Sequence, residues 1–389
     1  MKLAVISHKV CWTAHDSPSG FATDGGFPLQ MSVLSELFDE TKVVVPCENS
    51  KNPSGVTPLD GHNLQIRRLS IIEHRGFIRK LYFPFWLVRN GWTIWREVRR
   101  ADAVHTPIPG DVGTIGMLFA LLLKKPLFVR HCGNWMVQRT AAEAFWKWSM
   151  EHFAGGRNVM MATGGADNAP SYRNTNIKWI FSTSLNQNEI SSGVARELPR
   201  EKGLKLITVC RLEEKKGVDV VVKSLPLILR KFPGATLDVV GGGSLLDELK
   251  ASARSLNMAD KITFHDKVGH PQVIELMKQA DVFCYPTSAS EGFPKVVLEA
   301  LACGLPILTT KVSVLPRLME NGGGVLLDEP TAEAVAAGVG KICQDPEVYH
   351  RMSACAVATA QQYTLENWRD FIGETLRQSW QSPLISSAA

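Results

Sequence analysis

Residues 281–310 read DVFCYPTSASEGFPKVVLEALACGLPILTT. The apolar runs at both ends have the length and composition of buried strands, and the segment between them is long enough for a helix. A strand–helix–strand unit with near-continuous apolar strands predicts a parallel sheet that is covered by helices. The helical segment also carries two glutamates, Glu291 and Glu299, eight positions apart.

The same alternation of strands and helices extends along the whole chain. It is interrupted over 182–203, where Ser, Asn and charged residues predict a linker. We therefore expect an α/β chain of two doubly wound, Rossmann-like domains. Further strands are expected at 2–7, 42–46, 103–106, 127–131, 159–163, 177–181, 204–210, 236–241 and 262–266, and helices at 218–232, 245–256, 271–280 and 365–380.

The predicted domain boundaries follow from the position of the linker. The N-terminal domain is expected at 1–183 and the C-terminal domain at 184–364, and 365–389 is expected to form a helix and tail that pack back on the N-terminal domain. Ligands of doubly wound folds bind beyond the carboxyl ends of the parallel strands. The expected site is therefore a cleft across which the two domains face each other.

Composition limits the class of protein. The chain has 389 residues, 45% of them hydrophobic and 21% charged, which suits a globular protein of two domains. Its net charge of +5 is too small to predict a nucleic-acid partner. Its eight cysteines form no CxxC pair, which favours reduced thiols in the cytoplasm. The apolar run 115–123 is too short to cross a bilayer, and MKLAVISH at the N-terminus predicts a strand instead of a signal peptide.

Two basic side chains follow the strand expected at 204–210. Arg211 comes directly after the strand, and Lys216 precedes a glycine and a helix. A guanidinium and an ammonium near the start of a helix can hold a diphosphate, although a solvated basic loop would have the same sequence. The next strand ends in the glycine run 241–243, which either allows a nucleotide to approach closely or only forms a tight turn.

The segment after Glu291 predicts the start of a helix. Pro294 suits the first turn, so the amide groups of residues 295–297 are expected to be free to face an anion. Glu299 follows among apolar neighbours, and a buried carboxylate is costly unless it is hydrogen-bonded. The hydroxyl groups of a ribose could supply these hydrogen bonds. The alternative is a capping role for Glu291 and an internal ion pair for Glu299.

Together these segments resemble a known family. CRLEEKKG (210–217), the glycine run and EGFPKVVLEALACGLP (291–306) resemble the retaining GT-B glycosyltransferases, specifically glycosyltransferase family 4 with its E-x7-E motif. The resemblance covers most of the chain and is strongest over 204–310. It implies the GT-B fold and the transfer of a glycosyl group from a nucleotide diphosphate sugar.

The resemblance also implies roles for individual residues. Glu291 would face the donor sugar, Glu299 would hold the ribose, and Val268 would lie beside the base. Arg211 and Lys216 would neutralise the diphosphate. Backbone amides of a glycine loop would reach the same diphosphate, and a histidine would lie near the reacting sugar. The implied catalytic residues are Glu291, His131, Arg211 and Lys216, and the implied donor-binding residues are Gly25, Gly26, Gly242, Val268, Phe293, Pro294, Lys295, Val296 and Glu299. Without the resemblance, His131 would be interpreted as a structural histidine.

Three segments depart from the family pattern. Residues 313–317 read SVLPR where the family has GG-x-P-E, and Asp266 stands where a glycine precedes the base-side valine. FSTSLNQNEI (181–190) lacks the family's PNG-V-D hinge. These differences concern donor recognition and the motion between domains, not the predicted diphosphate site.

The implied reaction requires cations at the leaving diphosphate, and Arg211 and Lys216 can supply them. The sequence places no carboxylate pair or metal-ligand cluster to hold a metal, so we expect a metal-independent enzyme without a cofactor. Retention through front-face attack is implied by the resemblance alone. The expected donor is a UDP-sugar, with UDP-glucose as the specific hypothesis. The expected acceptor is a saccharide or lipid-linked saccharide in polysaccharide or glycolipid biosynthesis.

Residues 75–100 carry seven basic residues and one acidic residue together with Trp86, Trp92 and Trp95. This pattern suits a helix that lies on the anionic inner face of a membrane, or a helix that packs on the first domain with a solvated basic face. The expected location is therefore the cytoplasm, with peripheral attachment to the membrane as a hypothesis.

Two other functions are compatible with the sequence. A catalytically silent nucleotide-sugar-binding protein would keep the donor site without turnover. A nucleotide-sugar epimerase of the same fold would release the sugar instead of transferring it. Release of nucleotide from a donor without acceptor would distinguish an active enzyme from the silent protein.

Overall fold

A computed structural model describes most of the chain. It covers residues 1–15, 17–51, 56–71, 76–138, 140–191, 194–198, 203–290, 292–381 and 384–385. The chain divides into two compact units, Met1–Ser184 with Leu365–Ala389, and Leu185–Thr364. The boundary lies one residue from the position that the sequence predicts.

The first unit contains a mostly parallel sheet with helices against it. Its elements up to the boundary are β1 (Lys2–Ile6), β2 (Cys11–Thr13), β3 (Phe21–Thr23), α1 (Phe27–Ser35), β4 (Glu40–Lys51), β5 (Thr57–Pro58), β6 (Leu64–Leu69), α2 (Gly76–Arg100), β7 (Ala103–Ile108), α3 (Asp111–Leu122), β8 (Leu127–His131), α4 (Ala141–Phe153), β9 (Asn158–Thr163) and β10 (Lys178–Ile180). The strand order is β10-β9-β8-β7-β1-β4-β2-β3-β5, and β6 pairs with β4. Only the β2–β3 and β3–β5 pairs are antiparallel among the described strands.

The second unit contains a parallel sheet with helices against it. Its elements are α5 (Gln187–Ser191), β11 (Lys205–Val209), a 3₁₀ turn (Glu214–Lys216), α6 (Val218–Leu229), β12 (Thr236–Val240), α7 (Leu246–Ser255), β13 (Ile262–His265), α8 (His270–Gln279), β14 (Val282–Tyr285), α9 (Lys295–Ala302), β15 (Ile307–Thr310), α10 (Leu315–Leu318), β16 (Gly324–Leu327), α11 (Ala332–Ile342) and α12 (Pro346–Gln361). The strand order of the sheet is β13-β12-β11-β14-β15-β16. Described strands of this sheet are parallel to their neighbours, and β11, β12, β14 and β15 are buried along most of their length. Near-continuous apolar strands are expected when both faces of a sheet are covered.

The C-terminal helix α13 (Leu365–Trp380) belongs to the first unit. Its buried face packs with the apolar residues of α1, because Trp368, Ile372 and Leu376 share one core cluster with Leu34. The indole nitrogen of Trp380 donates to the carbonyl of residue 157 at 2.9 Å. The helix therefore completes the apolar core of the first unit.

The predicted α/β fold class is confirmed, and each predicted strand has a counterpart in the structure. The strands that sequence analysis missed are β2, β3, β5, β6 and β16. Most of them have two to four residues, too few to show an apolar period. The six-residue β6 reads LQIRRL and is only partly buried.

The prediction that 182–203 is only a linker is partly wrong. Helix α5 forms within it and packs against α12. Leu185 and Ile190 are buried in the core of the second unit. The guanidinium of Arg196 donates to the carbonyl of Cys303 at 2.7 Å. These contacts attach the described part of the segment to the second unit, although its composition is polar.

Candidate active site

One cavity of the second unit collects most of the residues that the sequence singles out. It has a volume of about 650 Å³ and lies where β11, β12 and β14 end and where the loop after β13 begins. This edge is the one at which doubly wound sheets bind ligands. The cavity is lined by Val209, Cys210, Arg211, Lys216, Val240, Gly241, Gly242, Lys267, Val268, His270, Val273, Tyr285, Phe293, Pro294, Lys295, Val296 and Glu299.

The two predicted cations line this cavity in different ways. Arg211 follows β11, its side chain is 73% exposed, and it forms an ion pair with Glu213 at 2.9 Å. Lys216 ends the 3₁₀ turn and is only 5% exposed. Desolvation by burial lowers the pKa of Lys216. The structure therefore provides an exposed cation at the rim of the cavity and a buried, desolvated cation inside it.

Tyr285, the last residue of β14, is a part of the site that sequence analysis missed. The Lys216 ammonium donates to its hydroxyl oxygen at 3.5 Å and lies 5.9 Å from the centre of its ring. Burial raises the pKa of the Tyr285 phenol, so the group stays neutral. In the sequence, Tyr285 lies within the apolar strand VFCY, and nothing distinguishes it from its neighbours as a site residue. The contact depends on the pairing of β14 with β11, which no local pattern predicts.

The first two glycines of the run 241–243 differ in what surrounds them. A side chain at Gly241 would overlap the carbonyl oxygen of Cys210, and the backbone there has φ +133°, so close packing with the neighbouring loop requires glycine. At Gly242 a side chain would meet nothing within 4 Å. Gly242 thus presents open backbone to the cavity.

Helix α9 presents its N-terminus to the cavity, but it begins later than predicted. Pro294 is the N-cap residue, and the first helical residue is Lys295. The amide of Val297 donates to the carbonyl of Pro294 at 3.1 Å, so the prediction that it is free is wrong. Lys295 and Val296 remain at the helix start, where the helix dipole favours an anion. Phe293 lines the same wall with its ring 5.6 Å from that of Tyr363.

Glu299 lies in α9 and is buried, as the sequence predicts. Its Oε1 atom accepts a hydrogen bond from Nε2 of His270 at 3.1 Å. An internal partner was the alternative to a ribose, and His270 was not identified from the sequence. Val268 lines the cavity two residues before His270. Glu291 lies outside the described residues.

The remaining predicted site residues belong to the first unit. Gly25 is exposed with φ +70°, and Gly26 is the N-cap of α1. His131 is the last residue of β8 and is buried with its ring 5.4 Å from that of Trp135. Burial lowers the pKa of His131 to about 4, so its imidazole is neutral at pH 7.

Helix α2 covers the described part of the basic and aromatic segment 75–100. A helix that lies on a membrane would need its tryptophans exposed, but two of them pack inside the unit. Trp86 is buried, and Trp95 packs edge-on against Phe119. The opposite side of the helix is apolar and exposed. We call this surface the outer stripe; it consists of Ile78, Leu81, Tyr82, Phe85, Val88 and Trp92.

None of the described helices combines the length and the apolar character that a bilayer crossing requires. Within the same residues, no group of three or more His, Cys, Asp or Glu side chains is placed to hold a metal ion.

Part of the second unit matches a known protein family. Residues 194–357 match the family model described as Glycosyl transferases group 1. All residues that line the cavity fall within this range. The match to this glycosyltransferase family model therefore covers most of the second unit, and the fold of the chain is that of the GT-B glycosyltransferases.

Two crystal structures of Anabaena Alr3699/HepE illustrate the shared fold. The complex with UDP has a TM-score of 0.70 to this chain at 15% identity, and the match covers 97% of this chain and 100% of that chain. The complex with UDP-glucose has a TM-score of 0.68 at 15% identity, with the same coverage. At this identity the similarity concerns the fold.

A curated relative shares more of its sequence over a shorter range. It is the GDP-mannose-dependent alpha-(1-6)-phosphatidylinositol monomannoside mannosyltransferase of Mycolicibacterium smegmatis (strain ATCC 700084 / mc(2)155). The identity is 31% over 187 residues, which cover 45% of this chain and 48% of the relative. The chain thus matches about half the length of this relative.

Proposed function

We propose that this chain is a retaining, metal-independent glycosyltransferase of family 4 that transfers a hexose from a nucleotide diphosphate sugar. The observation that carries the proposal is the cavity of the second unit. It joins a buried ammonium, an exposed guanidinium, a helix N-terminus and a buried carboxylate at the ligand-binding edge of a parallel sheet. The group 1 family match over the same residues supports it.

The proposed chemistry depends on stabilising the leaving diphosphate. Negative charge grows on that group as the glycosidic bond breaks, and Lys216 and Arg211 are cations that can contact it. A preorganised charge in a desolvated site lowers the barrier by about 3 kcal/mol. The backbone at Gly242 and the start of α9 offer further dipoles. These groups can perform the task without a metal or cofactor.

The other roles in the proposal follow from the resemblance. Glu299 would bind the ribose hydroxyl groups and Val268 would contact the base, since both line the cavity. Glu291 would orient the donor sugar. In the first unit, which we propose binds the acceptor, the backbone of Gly25 and Gly26 would contact the diphosphate. His131 would contact the sugar as a neutral imidazole. Front-face attack, with the leaving phosphate oxygen taking the acceptor's proton, would retain the anomeric configuration.

For the donor we propose UDP-glucose. The similarity to Alr3699/HepE, which binds UDP and UDP-glucose, supports this choice. GDP-mannose is the second candidate, because the mycobacterial relative is GDP-mannose-dependent.

For the acceptor we propose a saccharide or lipid-linked saccharide at the cytoplasmic face of a membrane. The outer stripe supports peripheral attachment, because contiguous exposed apolar side chains on one helix face are expensive in water. Arg89, Arg99 and Arg100 are exposed on the same helix and would attract anionic lipids.

The proposal is tested with the purified full-length chain and a panel of nucleotide sugars. We expect UDP-glucose to raise the thermal unfolding midpoint and to release UDP slowly in the absence of an acceptor. Binding without release of nucleotide would support the catalytically silent alternative instead. Appearance of an epimerised sugar would support the epimerase. A panel in which no nucleotide sugar binds would overturn the proposal.

A further inference from the structure

The pair formed by His270 and Glu299 joins two helices at the edge of the 650 Å³ cavity described above, which we call the donor cavity because we propose that it binds the nucleotide sugar. His270 is the first residue of α8, and Glu299 lies in the middle of α9. Their side chains differ strongly in exposure, at 48% for His270 and 10% for Glu299. The carboxylate is therefore held inside the protein, and the imidazole connects it to solvent.

The same pair separates two cavities. Both residues line the donor cavity, and both also line an adjoining cavity of about 790 Å³. A ligand that enters the donor cavity therefore meets the two side chains together. Among the described residues, the charges of Glu189 from α5 and Lys295 from α9 also act on His270. Arg211 and Lys216 line the donor cavity with them.

A carboxylate in this position needs a hydrogen-bond donor. Burial of a carboxylate is costly unless it is hydrogen-bonded, and Glu299 must be held in a fixed orientation to accept hydrogen bonds from a ribose. His270 supplies one hydrogen-bond donor to Oε1 of Glu299 at 3.1 Å, and this contact holds the carboxylate against the start of α8. His270 is half exposed, so a bound anion can come close to it. A positively charged imidazolium would then attract that anion and strengthen its binding.

We propose that His270 is a positioning residue for the nucleotide sugar: it holds the Glu299 carboxylate in place at the cavity, and its own charge adjusts the affinity for the nucleotide diphosphate. This inference rests on the proposed function and adds to it a residue and a pH dependence.

The direction of the pH dependence follows from the contacts. The hydrogen bond to Glu299 raises the pKa of His270, partly offset by burial, so the imidazolium persists closer to neutral pH. The donor is an anion, so its affinity should be greatest below the pKa of His270 and should fall as the imidazolium is lost at higher pH. By linkage, a bound donor should raise the pKa of His270 further.

The experiment measures UDP-glucose binding to the full chain by calorimetry from pH 5.5 to 8.5, with GDP-mannose in parallel. The diphosphate of a nucleotide sugar carries a constant charge in this window. His270→Gln keeps a hydrogen-bond donor near the position of Nε2 but has no group that titrates. His270→Ala removes both the hydrogen bond and the titrating group. The matched control is His265→Gln, because Nε2 of His265 makes a similar contact to Asp238 at 3.0 Å outside the donor cavity.

We expect the affinity of the unmodified chain to fall by about fivefold to tenfold across the window, and that of His265→Gln to fall equally. His270→Gln should bind with an affinity that does not change with pH. His270→Ala should bind about tenfold more weakly at pH 6, and it should raise KM for the donor with little change in kcat. The KM effect separates positioning from a general structural defect.

Two failures are distinguishable. If the unmodified chain binds neither nucleotide sugar, the proposed function and this inference both fall. If it binds, but His270→Gln keeps the pH dependence of the unmodified chain or His270→Ala leaves KM unchanged, only the inference about His270 falls.

Discussion

Replacement of Lys216 by Met should separate the activity of this protein from its stability. The Lys216 ammonium is 5% exposed and its pKa is lowered by desolvation, so the folded protein carries a charge that would be better solvated in the unfolded chain. Met has a similar length and no charge. The substitution keeps the packing against Tyr285 and removes the cost of the buried charge.

The expected changes have opposite directions. Replacing a buried ion pair with apolar side chains of similar volume is often neutral or stabilises by about 1–4 kcal/mol, and the desolvated charge of Lys216 gives the same direction here. In a unit of this size, each kcal/mol corresponds to about 2–4 °C in the unfolding midpoint. Donor turnover should nevertheless fall by about 10²–10³-fold, because one preorganised charge at the leaving group is lost. A structural lysine would lose stability and activity together.

The assay combines UDP release from UDP-glucose with thermal unfolding followed by far-ultraviolet circular dichroism. Lys215→Met is the matched control, because Lys215 is the preceding residue in the same turn and is exposed. We expect the control to change neither the rate nor the midpoint. Full turnover by Lys216→Met would show that the ammonium does not contact the reacting diphosphate.

Three further predictions test other parts of the structure. Gly241→Ala should destabilise the second unit by about 1–3 kcal/mol, because the added side chain would overlap the carbonyl oxygen of Cys210. Gly242→Ala should leave the stability unchanged and weaken UDP binding. The prediction fails if the two variants have the same stability in urea unfolding and the same UDP affinity in calorimetry. The double variant Phe85→Ser/Val88→Ser removes side chains that are 75% and 83% exposed, so it should leave stability within about 0.5 kcal/mol but lose salt-sensitive sedimentation with anionic vesicles. Tyr172→Ser, at another exposed site of the first unit, is its control, and a dimer in place of vesicle binding would argue against a membrane surface. Burial lowers the pKa of His105 to about 3, so between pH 6.5 and 5 the unfolded chain binds a proton that the folded chain excludes. The free energy of unfolding of the first unit should therefore fall by roughly 2 kcal/mol as the pH is lowered from 6.5 to 5. All ten tryptophans lie in the first unit, so their fluorescence in urea follows this unit alone, and His105→Leu should show a smaller dependence on pH.

Much of the candidate site could be predicted because its motifs lie next to strand ends. Arg211, Gly242 and Glu299 each follow a strand of the same parallel sheet within a short distance in sequence. Parallel strands bring their carboxyl ends to one edge, so residues far apart in the chain meet there. The expectation that they share a cavity therefore needed only the strands and their direction.

The sequence alone determined the alternation of strands and helices, the position of the second sheet and several of the residues at its carboxyl edge, among them Arg211, Gly242 and Glu299. Apolar runs and glycine turns are local signals, and they determine which elements form. Only the tertiary structure decided that His270 contacts Glu299 and that Tyr285 lies beside Lys216. It also decided which side of α2 is buried and which forms the outer stripe. Those contacts depend on strand order and on the rotation of each helix against its sheet, and these are set by packing of the whole unit instead of by any single segment.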